Sequence, residues 1–158
     1  MPVIINGMTS TSAGITISQT PVVTAGAEDA GDALGGLLTF EGAARVAGGG
    51  GIIKSVMILD DAGQDASLEL WLFSDAFTAI ADNAAWAPAE ADLHKLVAII
   101  TTGDGAWFAA GTPSVARVEV SQYYECAGTS LYGQLVDRTG GTYVATDDVT
   151  VILNLLLD

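Results

Sequence analysis

Few side chains in this chain are suited to chemistry, and their spacing limits what they can do. Proton transfer near neutral pH draws first on histidine, and the chain has one, His94, beside Lys95 in a polar step ahead of an apolar run. A Ser-His-Asp or Cys-His arrangement would have to be built on that residue. The single cysteine, Cys126, lies in Tyr124-Glu125-Cys126-Ala127-Gly128 with no basic neighbour in sequence to draw out a thiolate. His94 therefore reads as a surface residue and Cys126 as a small buried one. Carboxylates are abundant, and Glu41, Asp60, Asp61, Asp65, Glu69, Glu119 and Glu125 are formal candidates for the paired acids of glycoside hydrolysis. Most fall in turn sequences or on strand faces expected to be wet, where solvation alone explains them. Asp60-Asp61-Ala62-Gly63-Gln64-Asp65 gathers oxygen ligands as a calcium loop does, but it lacks the EF-hand spacing and the closing glutamate, so an Asp- and Gly-rich hairpin turn is preferred. Gly48 to Gly51 precedes neither a Lys-Ser/Thr pair nor a helix and is not a phosphate loop. The expectation is no catalytic residue, no metal and no cofactor: a protein that is not an enzyme.

Trp71, Trp86 and Trp107, with Tyr123, Tyr124, Tyr132 and Tyr143, leave two readings open. They form either a sugar-stacking platform of the kind used by carbohydrate-binding β-sandwich modules, or ordinary core and interface packing, and packing accounts for them without a ligand.

Partners are bounded by charge. Five Lys and Arg against 19 Asp and Glu give a formal net charge of −14, a field that repels phosphate backbones and anionic headgroups alike. Arg45, Lys54, Lys95, Arg117 and Arg138 are scattered, so neither nucleic acid nor membrane is an expected partner. Half of the residues are hydrophobic, yet the most apolar stretches, Gly51 to Leu59 and Val149 to Leu157, are strand-sized rather than membrane-spanning. Met1-Pro2-Val3-Ile4-Ile5-Asn6-Gly7 has no basic leader region, and a cleaved export signal is not expected. One cysteine excludes an internal disulfide.

The elements that must position these residues read as strands. A length of 158 residues suits one domain, expected as an N-terminal arm with the first short strands over 1–47 and a β-sandwich body over 48–158. Within the arm, Thr9 to Gly14 reads as a loop, Ile15 to Ser18 as a short edge strand, and Ala25 to Gly36 as a stretch without hydrophobic period. The glycine run Gly48 to Gly51 predicts a hinge or a tight backbone crossing. Ile52 to Leu59 predicts a strand that turns at Asp60-Asp61-Ala62-Gly63 into a hairpin with Ala66 to Phe73, where Leu68, Leu70 and Leu72 share a face. Trp71 and Phe73 on the opposite face call for a covering layer. Asp75 to Leu93 reads as a long loop with a helical turn near Glu90 to Leu93. Further strands are expected at 95–102, 106–109, 115–124, 130–136 and 149–157, the last central in a sheet because so apolar an edge would aggregate. Seven to nine short strands with frequent turns make an all-β sandwich or barrel.

Two stretches carry a resemblance. Gly49-Gly50-Gly51-Ile52-Ile53-Lys54-Ser55-Val56-Met57-Ile58-Leu59-Asp60 followed by Leu68-Glu69-Leu70-Trp71-Leu72-Phe73-Ser74-Asp75, and Thr129 to Val136 with Asp147 to Leu153, resemble the head decoration, or capsid cement, proteins of tailed bacteriophages. The resemblance falls within 48–158. It implies a jelly-roll-like β-sandwich with an extended N-terminal arm, present in the virion on the outer capsid surface after synthesis in the host cytoplasm. It also implies a homotrimer whose partner is the major capsid protein, with the head stabilised by bridging of capsid subunits. Val3, Ile4 and Ile5 are the expected capsid contacts, as an added strand. The alternatives are another virion component, such as a tail or head fibre, or a carbohydrate-binding β-sandwich.

Overall fold

Runs of β-branched and aliphatic residues set the strands, and the alternation of buried and open positions sets their faces. A computed structural model describes residues 13–103 and 106–158. In chain order its elements are β1 (Ala13–Gln19), β2 (Gly26–Ala27), β3 (Ala33–Phe40), β4 (Gly50–Asp60), β5 (Leu68–Phe73), α1 (Glu90–Leu93), β6 (Leu96–Thr101), β7 (Trp107–Ala109), β8 (Ser114–Glu125), β9 (Leu131–Asp137), β10 (Thr142–Tyr143) and β11 (Val149–Leu157). They form a five-stranded sheet in the order β1-β11-β4-β8-β7, a four-stranded sheet in the order β3-β9-β5-β6, and a small β2-β10 ribbon. Every strand pair is antiparallel. The two larger sheets share one core, with Ile53, Val56, Ile58, Leu153 and Leu155 from the first meeting Leu34, Leu68, Leu70, Leu72 and Leu135 from the second. The fold is an all-β sandwich.

Strand β11 behaves as its composition demands. Val149, Val151, Leu153, Leu155 and Leu157 are buried and alternate with half-buried residues, and the strand is paired on both sides, by β1 and β4. The glycine run is a tight backbone crossing. A Cβ on Gly50 would collide with the carbonyl oxygen of Tyr124, and one on Gly51 with that of Leu156, so only glycine lets β4 enter between β8 and β11.

One expectation is corrected. Strands β4 and β5 are not a hairpin: β4 pairs with β8 and β11, whereas β5 pairs with β6 and β9 in the opposite sheet. The turn between them is an arch from sheet to sheet, because the Asp60 carboxylate accepts N–H groups from Ala62, Gln64 and Asp65 at 3.0, 2.7 and 3.2 Å and bends the chain away from its own strand. Residues 13–47 contribute strands to both layers. β1 is an edge strand of the first sheet, as read for Ile15 to Ser18, and β3 adds an edge to the second. β3 escaped notice because Gly35-Gly36 interrupts its alternation, and its register against β9 shifts between Leu34 and Leu38.

The segment between β5 and β6 supplies the layer that Trp71 and Phe73 require. Phe73 is buried and stacks on Phe77 at 4.1 Å, while Trp71 meets Trp86 at 5.3 Å, tilted by 57°. Gln134, fully buried on β9, pins the segment by accepting the N–H of Ile80 at 3.0 Å and donating to the carbonyls of Ile80 at 2.6 Å and Gly35 at 2.7 Å. The helical turn expected near Glu90 to Leu93 is α1.

Candidate interaction surfaces

The groups with chemical potential are dispersed. His94 is exposed at the C-terminal end of α1. Cys126 is buried, its N–H given to Gly49 O at 2.8 Å, and burial pushes its thiol up to about 11, which leaves it a poor nucleophile. The acids serve turns. Asp137 accepts the N–H groups of Thr139, Gly140 and Gly141, each at 2.8 Å, and Asp148 those of Val144 at 2.7 Å and Ala145 at 2.8 Å. Asp82 holds Gly35 N–H and the Thr24 hydroxyl. Asp60, the first acid of the Asp- and Gly-rich turn, is buried and already shared among backbone donors. Among the described residues no group of three or more His, Cys, Asp or Glu side chains could hold a metal ion.

Glu28 is different. It is 4% exposed, both carboxyl oxygens are without a hydrogen-bond partner, and burial together with the nearby Asp82, Asp137, Asp32 and Asp29 pushes its pKa up to about 7. The buried Tyr143 hydroxyl also has no partner, and burial first, then Asp137, Asp60, Glu28 and Asp148, raises its pKa. No signal in the sequence singled out Glu28, because its burial and the nearness of Asp82 and Asp137 come from segments far apart in the chain.

The aromatics do not assemble into one platform. Trp71 and Trp86 form a pair, whereas Trp107 donates its indole N–H to Ala66 O at 3.1 Å on another part of the sandwich. Tyr124 and Tyr143 are buried; the Tyr124 hydroxyl donates to Ala43 O at 2.6 Å.

The outer face of the five-stranded sheet presents apolar rows. Register places Phe108 beside Val115, Leu59 and Thr150 in one row, Ile152 beside Met57 in the next, and Tyr123 beside Ile52 and Leu156 in a third. Between the second and third runs a polar row, in which the Thr16 hydroxyl donates to Asn154 Oδ1 at 2.9 Å and Asn154 Nδ2 to Ser55 Oγ at 3.1 Å. Phe108 and Tyr123 are 67% and 54% exposed, and Ile52, Met57, Leu59, Ile152 and Leu156 are half-buried although no further layer of described residues lies over them. The joining of Ile152 and Leu156 with Phe108 and Tyr123 required the strand order.

A second feature lies along one open side of the sandwich. Among the described residues, β7 pairs only with Ser114, Val115 and Ala116 of β8, and β6 is the last strand of its sheet. A groove of about 240 Å³ runs between these edges, lined by Ile99, Ile100, Thr101, Val118, Glu119 and Val120. The expected capsid contacts Val3, Ile4 and Ile5 lie outside the described residues. Among those described, no helix is long and apolar enough to cross a membrane.

No protein-family model matches the chain, and no curated protein matches it.

Proposed function

We propose that this chain is a head decoration protein of a tailed bacteriophage: a jelly-roll-like sandwich that binds the outer capsid surface and braces neighbouring major capsid protein subunits. The outward apolar rows of the five-stranded sheet carry this reading. A face that sets Phe108, Met57, Ile152, Leu156 and Tyr123 toward solvent on a body of charge −14 has the makings of a contact surface. The resemblance of 49–60, 68–75, 129–136 and 147–153 to cement proteins points to the partner. In this reading the protein performs no reaction. It lowers the free energy of the assembled shell because only neighbouring subunits together offer the whole binding site, and several copies per lattice position multiply the effect.

The test uses heads assembled from the major capsid protein of the phage that this reading implies, prepared with and without this chain. Expected are co-sedimentation of the chain with expanded heads, density for it on the outer surface, and a higher temperature of genome release in its presence. Heads that neither bind it nor change in heat resistance would remove the basis for the proposal.

A further inference from the structure

The outer face of the five-stranded sheet is close to uncharged on a strongly acidic molecule. Its strands hold only five charged residues, Lys54, Asp60, Arg117, Glu119 and Glu125. Asp60 is buried and engaged by its own turn, so two cations and two carboxylates face outward and cancel. Arg117 pairs with Glu119 at 2.7 Å, and Glu125 accepts the Tyr123 hydroxyl at 2.8 Å where β8 ends. The formal charge of −14 therefore resides almost wholly on other surfaces. Among these four charges lie the apolar rows of Met57 with Ile152 and of Ile52 with Leu156.

We infer that in the free protein this face packs against the same face of a second copy, as a two-fold pair of sheets. Three observations select that occupant. A two-fold contact sets a patch against itself, so the patch must hold both signs of charge and no excess of either; this one does, while the rest of the surface carries the excess of carboxylates. Its centre is apolar and strand-built, the kind of surface on which a second sheet lies at about 10 Å. Its size is sufficient. Five strands at ~4.8 Å spacing, averaging about eight residues of ~3.3 Å, give roughly 600 Å² per copy, and the ~1,200 Å² of a pair reaches the lower limit of specific interfaces. A contact of that size is weak and reversible, and the two acidic bodies oppose it from a distance. Association is therefore expected to tighten as salt screens them. The inference concerns the free chain and goes beyond the capsid reading: a head surface that uses this face has to displace the second copy. No capsid enters the measurement, so a failure here leaves that reading standing, and heads that ignore the chain leave this one standing.

The test is sedimentation equilibrium of the full-length chain over a range of concentrations at low and at high salt. Expected is a monomer–dimer equilibrium whose Kd falls at least threefold as salt rises. Met57→Glu with Ile152→Glu, both half-buried on this face, is expected to weaken it at least tenfold. Ile99→Asp, on the outer face of the other sheet beside Trp71, is expected to leave it within twofold. A second measurement follows the reaction of Met57→Cys with a thiol reagent; the native Cys126 is buried and stays silent. Its rate is expected to fall as protein concentration rises across the dimerisation range. The inference is overturned by a chain that stays monomeric, by association that high salt weakens or that the paired Glu variant leaves unchanged, or by one that Ile99→Asp disrupts equally. Protection of Met57→Cys that is the same at every concentration would assign the cover to the chain's own residues and overturn it too.

Discussion

The acidic residues of this chain divide by what their oxygens touch. Asp60, Asp137 and Asp148 are buried and accept several backbone N–H groups each, so they shape turns. Replacing Asp137 by Ala strands three donors of the 139–141 turn. The expected cost is about 3 kcal/mol in chemical unfolding, and a change below about 0.5 kcal/mol would show that the turn holds without its carboxylate. Glu28 has no such donors. Its folded pKa is raised to about 7 from 4.5, so the folded state retains its proton over a range in which the unfolded chain has lost it. That stabilisation is complete below about pH 4.5, declines as pH rises, and is gone above about pH 7. Glu28→Gln should therefore flatten the fall in melting temperature between these limits, the group being faced by Asp82, Asp137, Asp32, Asp29 and Tyr143. An unchanged slope in the variant would place the pH dependence elsewhere, Asp60 being the next buried acid whose pKa is raised by desolvation.

At the scale of elements, stability rests on devices that bind one segment to another. Gln134 satisfies three backbone groups on two neighbours and is the chief polar tie between β9 and the segment covering the four-stranded sheet. Gln134→Leu keeps the volume but leaves those groups without partners, and about 2–4 kcal/mol should be lost. Hydrogen exchange at Ile80 should accelerate more than at Leu153, and equal acceleration at both would point to global rather than local loosening. Gly50 is the other device. Gly50→Ala pushes a methyl group against the Tyr124 carbonyl, β4 and β8 must part, and a loss of at least about 2 kcal/mol is expected by thermal or chemical melting. The strands themselves were largely readable: alternation marks β5 and β11, and the runs at 52–59 and 115–124 mark β4 and β8. β3 was not, because a bulge at Gly35-Gly36 removes the period on which such a reading depends.

For the whole molecule, the outward apolar rows are the surface on which the proposed function depends. Met57 and Ile152 are cross-strand neighbours on that face and make no part of the shared core. Met57→Glu combined with Ile152→Glu should shift stability by no more than about 1 kcal/mol while abolishing co-sedimentation with capsids; retained binding would direct attention to another face. The candidate surface was only half legible beforehand. Phe108 joins Ile152 and Leu156 through the local β7–β8 hairpin and then through β4, and the two pairings between distant segments, β8 with β4 and β4 with β11, are invisible in a one-dimensional pattern.

Composition and periodicity alone determined that this chain builds sheets, that its last strand is interior, and that its acids are mainly turn and surface residues. These properties are local, since each follows from side-chain type and from spacing within about ten residues. Tertiary structure decided that the chain passes from sheet to sheet at Asp60 instead of turning back, that Glu28 is enclosed by other carboxylates, and that β6 and β8 leave a groove open between them. Each of these depends on which distant strands pair, and that choice is made by the burial of whole faces in one shared core, a property no short window of residues contains.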